Sequence, residues 1–414
     1  MNGIVANTEY IKLEYDDLML GKDAKRKKYK KIKLPNPPIS WGQRKLLMSE
    51  IEFFNIYWDP IKIPEPLCVY AGAASGEHIL LLSEMFPSFK FHLYDPRKDA
   101  FNIGETDKIK IITTYFTLED VKKYKTENNH NIFFISDIRT SDFNKTYKMI
   151  YDKYNVTYDK NNRIINSQGH DEKKLKKEAD LITEREIFDD MLLQQQWVVE
   201  LNPEHALLKF RLPYYYGYSE MELNKNYLKG IVYWQTWEKP TSTETRLKPI
   251  RNSSTQQYEE GQWNTLEYEE WCYHHNIEVR VNTLYKNIFT DKDEPINDEL
   301  INNYDCMCEA TILKMYCEKF CNNNNNKEEI VKVLSNKITE FLNSGGKNKK
   351  GIKVTLKNLR DSGLSSRSEF VKTKLYPVTT NIITDIDVLK DNGYNDIVNL
   401  NTANINEQHR FKLC

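Results

Sequence analysis

The stretch from Leu67 to Leu82, Leu-Cys-Val-Tyr-Ala-Gly-Ala-Ala-Ser-Gly-Glu-His-Ile-Leu-Leu-Leu, constrains the fold of this chain more than any other. It opens with a short apolar run, the pattern of a strand buried on both faces of a parallel sheet. Gly72 and Gly76 follow, and an apolar run with helical character then extends to Pro87. Strand, glycine turn and helix, in that order, are how an α/β sheet presents a nucleotide-like ligand. Glycine lets the backbone approach closely, and the helix N-terminus carries partial positive charge. A second strand, Lys90 to Tyr94, ends in Asp95. That acid stands roughly 20 residues beyond the glycines, where a carboxylate can meet a ribose diol. The plainer alternative is a βαβ turn whose small residues serve packing.

The pattern continues along the chain. Lys108 to Ile112 reads as a third strand, and Asn131 to Ser136 as a fourth that runs into Asp137. In open α/β sheets the ligand lies outside the carboxyl ends of the strands, where Asp95 and Asp137 both fall. Either could instead cap the next helix. Ala206 to Phe210 reads as a fifth strand, interrupted near its end by Lys209. A lysine there is costly to bury unless it is paired or functional. Gly230 to Trp234 reads as a sixth. Helices are expected over Trp41 to Phe54, Glu184 to Val199, Thr265 to His275 and Glu328 to Leu342. Asp305 to Phe320 reads as a strand that completes the sheet. Residues 144–182 read as a charged surface insertion, and Asn252 to Gly261 as a polar loop.

Composition narrows the function classes. The chain has 414 residues, 40% of them hydrophobic, with a net charge of -1, so a real core is expected and the whole is no polycation. No apolar run of about eighteen residues predicts a membrane span, and the first ten or so residues lack the apolar core of a signal peptide. The seven cysteines are scattered. Cys306, Cys308, Cys317 and Cys321 lack a paired C-x-x-C spacing, so they read as buried thiols and no metal is expected. Abundant Asn, Lys, Ile and Tyr suggest an AT-rich genome. Basic charge is concentrated in Lys22 to Lys33, either a solvated arm or a contact to RNA phosphates through counterion release.

Several motifs occur in one order: Gln43-Arg44-Lys45-Leu46-Leu47, Tyr70-Ala71-Gly72 with Gly76 and His78, Tyr94-Asp95-Pro96-Arg97, Ser136-Asp137-Ile138-Arg139, Leu208-Lys209-Phe210-Arg211 and Thr243-Glu244-Thr245-Arg246-Leu247. Together they resemble the poxvirus-type cap-specific mRNA nucleoside-2′-O-methyltransferase, which is also the small, regulatory subunit of the viral poly(A) polymerase. The likeness runs from about residue 39 to about residue 343 and suggests a large DNA virus as source. It implies a methyltransferase domain over 39–343; composition adds a basic arm over 1–38 and a polar extension over 344–414, and neither residues 144–182 nor the tail after 346 has a counterpart in the likeness. The fold it implies is α/β, a Rossmann-like S-adenosylmethionine (SAM)-dependent methyltransferase fold with helices on both faces of a mostly parallel sheet.

The resemblance also implies roles. A catalytic tetrad falls on Lys45, Asp137, Lys209 and Glu244. The SAM pocket falls on Gln43, Leu46, Tyr70, Gly72, Gly76, His78, Asp95, Arg97 and Arg139. Cap and RNA contacts fall on Tyr214, Arg211, Glu259 as the acid that reads the guanine edge, and Tyr15 as the second stacking aromatic. The partners implied are capped mRNA and a viral poly(A) polymerase catalytic subunit, in the virion and the host cytoplasm. A ribose hydroxyl is a poor nucleophile until its proton leaves, and a lysine can take that proton where desolvation or nearby cations favour its neutral form. Lys209 at a strand end, with Lys45 nearby, is the expected one; His78 more naturally shapes the loop. Two functions remain open at this point: the enzyme, and an RNA-binding processivity subunit that keeps the fold without the chemistry.

Overall fold

The computed structural model describes residues 12–13, 28–29, 42–127, 131–160, 162–236, 238, 242–276 and 304–320, with positions 331, 334, 335, 337, 338, 341 and 342. β1 (Lys12–Leu13) precedes α1 (Gly42–Tyr57). Then come β2 (Leu67–Ala71), α2 (Glu77–Met85), β3 (Lys90–Tyr94), β4 (Ile109–Ile112), α3 (Leu118–Glu127) and β5 (Ile132–Ser136). α4 (Phe143–Lys153), β6 (Thr157–Tyr158), β7 (Ile164–Asn166) and α5 (Glu172–Leu201) follow. The chain continues through β8 (His205–Phe210), β9 (Asn224–Leu228), β10 (Gly230–Tyr233), β11 (Thr245–Pro249), β12 (Glu260–Asn264), α6 (Thr265–His274) and α7 (Tyr304–Phe320).

The central sheet is eight-stranded, in the order β1-β10-β11-β8-β5-β2-β3-β4. β4, β3, β2, β5 and β8 are mutually parallel. β11 is reversed against β8, and β10 against β11, so β10 again runs with β8. This is the Rossmann-like, mostly parallel sheet expected of a SAM-dependent methyltransferase fold. The chain leaves β2 outward to β3 and β4, then returns to β5 on β2's other side. The carboxyl ends of β2 and β5 therefore flank a topological switch point, where such sheets open a crevice for ligand.

Strand parity distributes the core. Cys68, Tyr70, Phe133, Ile135 and Leu207 face one layer with α1, α2 and α7. Leu67, Val69, Phe134, Ala206, Leu208 and Phe210 face the other, with α3, α5 and α6. Phe53, Phe54, Phe86, Phe89 and Phe133 are wholly buried in the first layer, each worth about 1.5–3 kcal/mol of transfer free energy.

The structure departs from expectation in three places. The segment expected as a closing strand is helix α7. Its buried residues Ile312, Leu313, Tyr316, Cys317 and Phe320 recur at helical spacing and seat on α1 and α2, with Phe320 stacked on Trp58 at 5.4 Å. Apolar density in that segment obscured a period of 3.6. The insertion is no featureless loop: α4, the β6–β7 hairpin and the start of α5 enclose Tyr147, Ile150, Tyr151, Val156, Leu175 and Ala179. α5 therefore begins at Glu172, capped by Asp171, whose side chain accepts from Lys173 N. The polar loop expected up to Gly261 instead gives way to β12, paired with β9. Described positions between 331 and 342 are helical, as expected for the last helix. The arm around Lys22 to Lys33, apart from Lys28 and Tyr29, and the extension beyond 343 lie outside the described residues. Among the described residues, no helix is long and apolar enough to cross a membrane, and no group of three or more metal-ligating side chains occurs.

Candidate active site

The glycine turn brings two strand ends together. Gly72 adopts φ +78°, and a Cβ built there would lie 3.0 Å from the backbone of Asp137 and Ile138. Only glycine permits β2 and β5 to approach so closely at the switch point. Gly76 adopts φ +83° at the start of α2. The turn is tied to α1 through His78: its backbone N and Nδ1 both meet Gln43 Oε1, at 3.3 and 2.7 Å, and its Nε2 lies 3.2 Å from Glu50. Tyr70 donates to the same carboxylate at 2.9 Å. His78 is thus a buried brace between α1 and α2 and lies outside the polar cluster described below. Leu46 is half-buried on α1. At the end of β3, Asp95 accepts two bonds from the Arg97 guanidinium, both 2.8 Å, and one from Arg97 N at 3.1 Å. Burial would raise the Asp95 pKa, but Arg97 outweighs it and holds the carboxyl below the usual carboxylate range.

Lys45, Asp137, Lys209 and Glu244 come together at the carboxyl ends of β5 and β8. Asp137 and Lys209 share the parity of Ile135 and Leu207, so both face the layer that contains α1 and Lys45. Lys209 Nζ lies 3.1 Å from Asp137 Oδ1 and 3.5 Å from Glu244 Oε2. Lys45 Nζ lies 3.0 Å from Glu244 Oε1 and donates to Glu238. Arg246, two residues beyond Glu244 on β11, is fully buried and reaches Asp137 Oδ1 at 2.7 Å. The result is a chain of alternating charge: Glu238, Lys45, Glu244, Lys209, Asp137, Arg246.

Electrostatics fix the charge of Lys45 and of the two carboxylates. Burial disfavours charge on Lys45, but Glu244 and Glu238 outweigh it and raise its pKa well above the usual lysine value. Lys45 is therefore held as an ammonium. Burial would raise the Asp137 and Glu244 pKa values; Arg246 and Lys209 offset this for Asp137, and Lys45, Lys209 and Arg246 for Glu244, so both remain carboxylates. Lys209 likewise has two anionic neighbours, Asp137 and Glu244, so Glu244 is shared by the two lysines. Glu238 and Arg246 were missed as site residues. Arg246 stood in a quoted motif, yet alone it reads as a surface strand residue; Glu238 lies in a loop with no local signal.

A second cluster follows β8. Arg211 donates to Glu184 at 2.9 Å and its guanidinium lies 4.4 Å from the Tyr214 ring centroid. Tyr29 lies 5.4 Å from Tyr214 and 5.5 Å from Tyr273, ring to ring. Glu269 on α6 accepts from Tyr215 N. Burial, with help from Glu184, pushes the Glu269 carboxyl up to about 8 despite that bond. One expected member is elsewhere. Glu259 sits at the amino end of β8's neighbourhood, where it accepts from Asn252 at 2.8 Å and faces Lys229 at 3.6 Å, next to Tyr258, which donates to Pro203 O. β11 runs antiparallel to β8, so the segment after it returns to the end of the sheet opposite Tyr214, and Glu259 lies there, away from Tyr214. Tyr15 lies outside the described residues. Around Tyr214 the fold gathers Tyr29 at 5.4 Å and Tyr216 at 6.0 Å, ring to ring, Glu184, which accepts from Tyr214 N at 2.8 Å, and Glu269 on the neighbouring Tyr215 N. Arg139, at the turn after β5, is half-buried with its guanidinium nitrogens enclosed.

Residues 12–168 match the family model described as "Poly A polymerase regulatory subunit". No curated protein sequence matches the chain. Among solved structures, bluetongue virus VP4, described as "a multifunctional RNA-capping production-line", matches with a TM-score of 0.34 and 11% identity. The match covers 63% of this chain and 38% of that one, so this chain spans well under half of that protein's length. Over residues 12–168 the chain is thus similar to the poly(A) polymerase regulatory subunits.

Proposed function

We propose that this protein transfers the methyl group of SAM to the ribose 2′-hydroxyl of the first transcribed nucleotide of capped mRNA. The observation that carries the reading is Lys209 Nζ, held between Asp137 at 3.1 Å and Glu244 at 3.5 Å, with Lys45 on the other oxygen of Glu244 at 3.0 Å. The residues around the switch point fit SAM: a glycine turn with no Cβ, a carboxylate at the end of β3, and Gln43 fixed by His78. When bound, SAM supplies an electrophilic methyl on a sulfonium. Lys209 takes the hydroxyl proton; Asp137 and Glu244 orient its amine; Lys45 and Arg246 fix the two carboxylates. Holding the hydroxyl in line can lower the barrier by about 7–11 kcal/mol at the generous limit. Radiolabelled SAM with capped and uncapped RNA tests the reading. Label is expected in capped RNA only.

A second reading is favoured by the family match: a regulatory, RNA-binding partner of a poly(A) polymerase catalytic subunit. No label on either RNA, with the polymerase made processive, would select it. Both readings assign the protein to viral mRNA, and with it to the virion and host cytoplasm.

Asp95→Ala should weaken SAM binding about tenfold or more, the loss expected of one charged hydrogen bond. Calorimetry on the folded variant checks this; unchanged affinity would leave Asp95 as a partner for Arg97 alone.

Tyr214, Tyr29 and Glu269 form the cap site in this reading. A methylated guanine is cationic and stacks on electron-rich rings, and its charge and edge donors would favour loss of the Glu269 proton, leaving a carboxylate to accept them. Tyr214→Ala and Glu269→Gln should each weaken capped RNA far more than uncapped RNA, whereas equal losses would assign them to folding. Glu269 adds a pH signature. Between the free value of 4.5 and about 8, native Glu269 keeps a proton that the unfolded chain has released. Stability should therefore fall as pH rises through that window. Thermal melts of Glu269→Gln should show a flatter decline.

A further inference from the structure

Arg139 is not used by the tetrad or by the glycine turn. Both of its terminal nitrogens, Nη1 and Nη2, are buried without a hydrogen-bond partner. A guanidinium carries five N–H donors and keeps its charge, so enclosing two nitrogens without acceptors is costly unless a ligand supplies them. Arg211 Nη1 is in the same condition, although Arg211 Nη2 reaches Glu184. The two arginines stand at matching positions. In the parallel pairing of β5 and β8, Ser136 is opposite Leu208. Each arginine follows three residues later, beyond strand ends that run side by side. Their charges repel one another, and with burial that repulsion lowers the Arg139 pKa. Gln194 Oε1 and Tyr227 OH are further buried polar atoms without partners on this side of the sheet. The Arg139 charge is felt with Arg211, Glu244, Asp190 and Asp137, and it acts on Tyr227. Asp137 backs onto Gly72, and the other neighbours lie toward β8, α5, β9 and β11.

We propose that Arg139 and Arg211 together bind a phosphate group of the RNA, between the Tyr214 platform and the Lys209 amine. The proposal rests on the reading of an RNA substrate, and reassigns Arg139 from the cofactor to the nucleic acid. A phosphate can meet the Arg139 fork and the remaining Arg211 Nη1 at once through its several oxygens, and it offsets the repulsion between the two charges. Bound there, it anchors the chain between the cap and the first ribose, so that the 2′-hydroxyl is presented to Lys209.

The test uses the full chain and a labelled, capped oligoribonucleotide, with anisotropy measured across a range of KCl. Arg139→Gln is expected to bind RNA about tenfold more weakly. Its plot of log affinity against log salt should lose roughly 0.7–1 of slope, one phosphate contact. Arg139→Lys should keep the slope and lose part of the affinity, because a point charge replaces the fork. SAM affinity by calorimetry should be unchanged in both. On the wild type, inorganic triphosphate should raise the melting temperature and compete with the RNA. An unchanged slope in folded Arg139→Gln, a loss confined to SAM, or no response of the wild type to triphosphate would each overturn the proposal. If Arg139→Gln does not fold, the triphosphate result on the wild type and Arg139→Lys decide the matter. The outcomes separate the two readings: RNA held with the expected slope yet never methylated removes the enzymatic reading and leaves the phosphate site, whereas methylation with an unchanged slope does the reverse.

Discussion

Lys209→Met is expected to abolish most methyl transfer, by at least about 100-fold, the low end for loss of a general base. Methionine keeps the bulk of the stem and removes the amine. The variant should still fold, because neither carboxylate is stranded: Asp137 keeps Arg246 at 2.7 Å and Glu244 keeps Lys45 at 3.0 Å. Lys45 cannot stand in as the base, since Glu244 and Glu238 hold it charged. The loss should therefore fall on kcat, with affinities for SAM and capped RNA close to those of the wild type. Single-turnover rates with saturating RNA, set beside a thermal melt, check this. A folded variant retaining more than about a tenth of the rate would exclude Lys209 as the base; a large drop in melting temperature would mark it as a structural ion-pair partner instead.

The strands that matter were legible because strands buried on both faces are uninterrupted apolar runs, and a charge that breaks such a run is conspicuous. Asp137 and Lys209 stood out in this way, and parity then fixes the face they share. Glycine at a strand end pointed to a close approach, which Gly72 makes against Asp137. What local sequence could not supply was the relation between loops. Tyr258-Glu259-Glu260 and Tyr268-Glu269-Glu270 are the same tripeptide ten residues apart. Only the path of β11 back across the sheet, and of β12 into α6, decides which acid reaches the turn after β8, where Glu269 meets Tyr215 N. Tyr29 and Glu238 enter from segments with no periodic signal at all. The helix α7 is ambiguous in sequence for a different reason: its apolar residues are dense enough to satisfy either period, and its length is the feature that favours a helix.

Arg44→Met should produce the largest loss of stability. Arg44 lies in the first turn of α1, one residue before Lys45, and is 1% exposed. Its Nε donates to Glu309 Oε2 at 2.7 Å, its Nη2 donates to Glu309 Oε1, and the same nitrogen reaches Ser335 Oγ at 3.1 Å. Glu309 is equally buried on α7. The pair ties α1 to α7 inside the apolar layer that Trp58, Phe86 and Phe320 fill. Removing one partner strands the other charge where water cannot reach it, at a cost of about 3–5 kcal/mol. The net worth of the intact pair is a separate matter, because desolvation cancels much of its attraction. Arg44→Met with Glu309→Met should accordingly recover most of what Arg44→Met loses. Urea denaturation checks both, with the midpoint shifted and the slope unchanged if only stability has moved. A single substitution costing less than about 1 kcal/mol would mean that α1 and α7 are held by packing alone. The pair also bears on the chemistry. Lys45 takes its position from the same turn of α1, so the single variant should lose methyl transfer through displacement of the tetrad. The double variant should regain it together with stability. Recovery of stability without activity would instead show that the ion pair sets the register of α1, and thereby of Lys45, in a way that apolar packing cannot.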